Sequence, residues 1–87
     1  MNKKAFAKVL ASIPEAIDRG HLIRGRLKSL DVDMKDIGAE LGVTSSAVTH
    51  AVKDDGKYTR IQQYVADKIG MDIAVLFPRS HGRDKAA

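Results

Sequence analysis

At 87 residues, 44% hydrophobic and 30% charged, the chain suits one folded helical domain and excludes a disordered polymer. With no Cys and no Trp, it cannot be stapled by disulfides or bind a metal through thiolates, and aliphatic side chains must form its core. The net charge of +4 is uneven: residues 1–28 carry seven Lys/Arg against two acids, and residues 29–87 carry eight against nine, which favours a polyanionic partner without saying which.

No apolar run approaches the ~18 residues of a membrane span, and charges interrupt residues 1–13 where a secretion signal needs an apolar stretch. A cytoplasmic protein without membrane contact is the expectation. Residues 2–13 read as an amphipathic helix, because Phe6, Val9, Leu10 and Ile13 follow the i, i+3, i+4, i+7 rule with Lys3, Lys4 and Lys8 off that stripe. Three uses of the stripe are open: packing on its own domain, a dimer contact, or a basic arm along a nucleic-acid backbone.

Pro14 suits the first turn of a second helix, with Glu15 and Asp18 near its positive end. That helix is predicted over 14–30, with Ile17, Leu22 or Ile23, Leu27 and Leu30 buried and a break or kink near Gly20. Arg19, Arg24, Arg26 and Lys28 surround it, either as a solvated face or as phosphate contacts.

The stretch 34–53, MKDIGAELGVTSSAVTHAVK, is the most informative. Asp33 caps a helix over 34–41, with Asp36 as its capping-box partner. Gly38 leaves room for close approach, and Gly42 falls where a left-handed residue ends a helix most cheaply. Val43 turns inward, Thr44 caps the next helix over 45–52, and Val48, Ala51 and Val52 form its apolar stripe. Ile37, Leu41, Val43, Val48 and Ala51 take the apolar positions of a helix-turn-helix in register with Gly38 and Gly42. An ordinary antiparallel helix pair is the plainer alternative.

The turn KDDGK follows, where two aspartates repel phosphate unless they point away from Lys53 and Lys57. Thr59 is the expected cap of a helix over 60–69, ended by Gly70. Asp72 caps a short turn over 73–76, and Phe77-Pro78 stops it. Ile73, Leu76 and Phe77 read as a lid on the core, and 79–87 as a flexible basic tail. The fold class is therefore all-α: a bundle of about five helices, with no repeat.

Residues 21–79, read as IRGRLKSLDVDMKDIGAELGVTSSAVTHAV followed by RIQQYVADKIGMDIAVLFP, resemble the Ner-like bacteriophage transcriptional regulators of the lambda-repressor-like helix-turn-helix class. The close of the domain, a Gly-Met-Asp break and then one helical turn, an aromatic residue and Pro, is the part most particular to that group. The resemblance implies a compact DNA-binding domain at 19–78, preceded by an N-terminal helical extension at 1–18. It also implies a role in phage or prophage transcription control, as repressor or activator, and association with the nucleoid. Met34 and Lys35 stand where related repressors often carry a Gln.

By the resemblance, 45–52 is the recognition helix. Ser45, Ser46, Thr49 and His50 would meet base edges, while Thr44 and Lys53 would meet the DNA backbone. Beyond the resemblance, Lys35, Lys57 and Arg24 are further candidate backbone contacts by their charge. Hydroxyls donate or accept, and a Thr methyl can meet a thymine methyl. No Arg, Asn or Gln lies on 45–53, so the intrinsic specificity expected is modest, supplemented by DNA shape or by two protomers acting as a homodimer on double-stranded DNA. No cofactor, metal or small-molecule substrate is expected, since His21, His50 and His81 lack the spacing of a metal site. Catalysis by a Ser46–His50 pair lacks an orienting carboxylate. The remaining alternative is a small phage or mobile-element factor that uses the same scaffold to dock on a host protein.

Overall fold

The computed structural model describes residues 2–82. Within them the elements are α1 (Lys3–Ala11), α2 (Ala16–Ser29), α3 (Met34–Leu41), α4 (Ser45–Val52), a 3₁₀ turn (Gly56–Tyr58), α5 (Thr59–Ile69), α6 (Ile73–Leu76) and α7 (Pro78–His81). The all-α class is as expected, and among the described residues there is no strand. No helix there is long and apolar enough to cross a membrane.

One core runs through every helix from α1 to α6. Phe6 and Leu10 of α1, Ile23 and Leu27 of α2, Ile37 of α3, Val65 of α5 and Leu76 of α6 share it, all at 2% exposure or less. Burial of Phe6 and Leu10 contributes about 1.5–3 kcal/mol each, so the apolar face of α1 finds its partner within this chain. Asn2 caps α1, its Oδ1 accepting the Ala5 N–H at 2.8 Å. The stripe is narrower than the periodicity predicts: Val9 is 39% exposed and Ile13 is half-buried.

Helix α2 departs from its prediction at both ends and in the middle. It starts at Ala16 with Glu15 at the cap position, so Pro14 lies outside it. It runs unbroken through Gly20. That glycine is where α2 meets the end of α4: a Cβ added there would lie 2.8 Å from the carbonyl oxygen of Val52. The buried stripe therefore runs through Gly20, Ile23 and Leu27. Ile17 lies off that stripe and is 50% exposed, while Leu30 lies past the last turn and is 42% exposed.

Four helices close in the same way. After α3 and α5 the chain passes through left-handed glycines, Gly42 (φ 69°) and Gly70 (φ 77°). The next amide reaches back five residues, Val43 N–H to Gly38 O at 2.9 Å and Met71 N–H to Ala66 O at 3.0 Å. After α2 and α4 the left-handed residue is aspartate, Asp31 (φ 61°) and Asp54 (φ 70°), with Val32 N–H to Leu27 O and Asp55 N–H to His50 O completing the same closure. Short polar side chains tolerate this conformation better than others.

Two predictions near the C-terminus need correction. Thr59 is the first residue of α5, not its cap; its hydroxyl donates to Gly56 O at 3.1 Å, because the 3₁₀ turn runs directly into the helix. The basic tail does not begin at 79. Pro78 occupies the first position of α7, and α7 folds back on the turn after α4. The rest of the predicted tail, 83–87, lies outside the described residues.

Candidate nucleic-acid interface

The pair α3–α4 is built as its residue types dictate. Asp33 forms a full capping box with Asp36: the Asp33 side chain accepts the Asp36 N–H and Asp36 Oδ2 accepts the Asp33 N–H at 3.1 Å, while Asp33 Oδ1 also accepts the Met34 N–H at 2.7 Å. Gly38 faces the turn rather than another helix, since a Cβ on it would sit 2.8 Å from Val43 O. Thr44 caps α4, its Oγ1 accepting the Ala47 N–H at 3.1 Å. Val48, Ala51 and Val52 then drive one side of α4 into the core at 0%, 0% and 1% exposure.

This burial leaves Thr44, Ser45, Ser46, His50 and Lys53 exposed, with Thr49 half-buried. Thr44, Ser45 and Ser46 stand together at the N-terminal end of α4. Thr49, one turn on, donates its hydroxyl to Ser45 O at 3.0 Å, so that oxygen is left to accept and its methyl to make apolar contact. At the other end the His50 ring stacks on Tyr58, centroids 6.0 Å apart and planes 13° from parallel, a packing role that periodicity does not reveal. The open depression lined by His50 also takes in Lys53, Asp54, Asp55 and Arg79, but not Ser46.

The two aspartates of the KDDG turn differ. Asp54 is turned inward with its side chain 2% exposed, paired to Arg19 at 3.4 Å. Asp55 remains nearer the surface, where its Oδ1 accepts the Lys57 N–H at 3.1 Å. Only one of the two acids therefore competes with phosphate beside Lys53 and Lys57, both of which are exposed.

Arg24 lies elsewhere. With His21 and Lys28 it borders a second open depression on α2, next to the capped start of α3. Lys35 is exposed on the first turn of α3, and neither it nor Lys57 lines either depression. The structure thus gathers Thr44, Ser45 and Ser46 at one end of α4 and His50 with Lys53 at the other, and keeps Arg24 and Lys35 on neighbouring helices.

No family model, curated protein or solved structure matches this chain. What it does must be read from its own surface.

Helix α5 braces the pair from behind. The Tyr64 hydroxyl donates to the Glu40 carboxylate of α3, and Arg60 donates to Leu41 O at 3.3 Å, satisfying a carbonyl at the end of α3. The Glu40 hydrogen bond, with a smaller contribution from burial, pushes the Tyr64 phenol up to about 12. The Lys68 ammonium lies 5.4 Å over the same ring.

Sequence reasoning missed Arg79 and Ser80 as neighbours of α4. The available signal was Pro78, which can open a helix as readily as it can end the one before.

Proposed function

We propose that this protein is a transcriptional regulator of phage or prophage type that binds double-stranded DNA by laying α4 in the major groove. The observation that carries this reading is the division of α4. Val48, Ala51 and Val52 are sealed in the core, and a run of small hydroxyl side chains is left at the exposed end that follows a left-handed glycine turn. Small side chains let a helix backbone come close to the duplex, and the free N–H groups at a helix start suit phosphate. An ordinary surface helix also has a polar side. What favours recognition here is the glycine-notched turn ahead of it and the inward turn of Asp54 behind it.

In this reading Ser45, Ser46, Thr49 and His50 meet base edges, and Thr44, Lys35, Lys53, Lys57 and Arg24 meet phosphates. Ser46 carries more of the sequence preference than Thr49, whose hydroxyl proton is already committed to Ser45 O. Gel shifts on one selected site and on random duplex test these roles. Ser46→Ala is expected to narrow the gap in affinity between the two DNAs, with Thr49→Ala doing so less. Lys53→Ala is expected to weaken both equally. Identical responses from all three variants would remove the assignment of α4 as the reading helix.

A further inference from the structure

Asp54 does more than close α4. Its carboxylate accepts the backbone N–H groups of Arg79 and Ser80, both at 2.9 Å, and the Ser80 hydroxyl at 2.6 Å, while Arg19 approaches at 3.4 Å. Arg19 is itself tied to the α1–α2 link, donating to Ile13 O at 3.0 Å and Pro14 O at 2.8 Å. Gln62 is also fully buried against α7; its Nε2 donates to Ala51 O and Asp55 O at 3.1 Å each, and His81 Nε2 lies 2.6 Å from its Oε1. A helix of one turn is thus fixed by main-chain and buried polar bonds to the turn that ends α4.

Buried ion pairs seldom return more stability than their desolvation costs, so a gain in stability is a poor reason for this arrangement. Its geometric result is clearer. The Arg79 backbone is held on Asp54 while its side chain stays exposed, on the rim of the depression of about 470 Å³ that His50 and Lys53 also line. Asp54 and Asp55 also line that depression, but the Asp54 side chain is 2% exposed and paired with Arg19, which leaves Asp55 as the acid without such a partner beside Lys53 and Arg79.

We infer that Arg79 and Lys53 together seat a phosphate of the DNA backbone, so that α7 extends the nucleic-acid surface beyond the C-terminal end of α4. The inference rests on the reading of α4 as the helix in the major groove, whose walls are lined by phosphates. A phosphodiester suits the site because a guanidinium presents paired donors to two phosphate oxygens, with the Lys53 ammonium adding a point charge.

Arg79→Ala tests this without disturbing the anchor, since Arg79 bonds Asp54 through its main-chain N–H and the other bonds from α7 to that carboxylate come from Ser80. Binding to specific and random duplex is measured across a salt series, with thermal melting as the check on folding. The expected result is an unchanged melt, equal weakening on both DNAs, and a plot of log K against log salt that is shallower by about 0.9, one phosphate contact. Arg79→Lys should restore the slope, and Ser46→Ala should leave it alone. If wild type binds duplex with a clear salt dependence and Arg79→Ala keeps the same slope, the α7 contact is wrong and the reading of α4 stands. A change in preference between sequences without a change of slope would also overturn it. If wild type does not bind duplex even at low salt, both the contact and the function proposed above fail together.

Discussion

Gly20 and Gly25 lie on the same helix and have opposite physical consequences. A methyl at Gly20 would meet the backbone oxygen of Val52 at 2.8 Å, whereas a methyl at Gly25 meets nothing within 4 Å. Gly25→Ala should therefore stabilise the fold by about 1 kcal/mol, the ordinary helix-propensity gain. Gly20→Ala should destabilise it by about 1–3 kcal/mol, because main chain cannot move aside as a side chain can. Urea unfolding of the two variants checks this, and two shifts of the same sign would mean that α2 and α4 do not meet as described. Residue type alone predicts the same cost at both positions, which is why the sequence suggests a break at Gly20 that does not exist. Left-handed turns show the same limit. Gly42 and Gly70 announce themselves, but Asp31 and Asp54 adopt the same conformation with a residue type equally at home as a helix cap or on a solvated surface.

Among elements, the helices with strong local signals are the legible ones. The Asp33–Asp36 capping box, the Thr44 cap and the Val48–Ala51–Val52 stripe are local features, and α3 and α4 have the bounds their spacing predicts. Helix α7 has only Pro78 as a local signal, because what holds it lies 25 and 26 residues earlier in the chain, on Asp54. Removing that carboxylate would leave Arg19 buried without its charge partner and the first amides of α7 without acceptors. Asp54→Ala should cost about 3–5 kcal/mol, the penalty for breaking a buried pair from one side. Calorimetry measures this, and a loss no larger than that of an exposed acid such as Asp67 would show that Asp54 is not the anchor. The second half of the Phe77-Pro78 signal belongs here too. Phe77 is wholly buried and ends α6, while Pro78 opens α7.

For the molecule as a whole, composition gives the class and the economy of the core: without Trp, aliphatic residues and two Phe at 2% exposure or less seal helices from both ends of the chain together. Net charge is less informative. The basic excess of residues 1–28 is spread over α1 and α2, and of it only Arg24 belongs to the proposed DNA surface, which otherwise lies on Lys35 of α3, on α4, its flanking turn and α7. Only the fold shows that the Asp54 side chain is turned inward and that Arg79 lies beside His50 and Lys53. The central claim is that the exposed side of α4 enters a duplex, and mapping backbone amide shifts while double-stranded DNA is titrated in at low salt tests it most directly. The account predicts that the largest shifts fall on residues 44–46, 49, 50 and 53, with Arg79 following and the exposed outer side of α5, at Gln63 and Asp67, unchanged. Shifts centred on that side of α5, or no shifts at all, would contradict it.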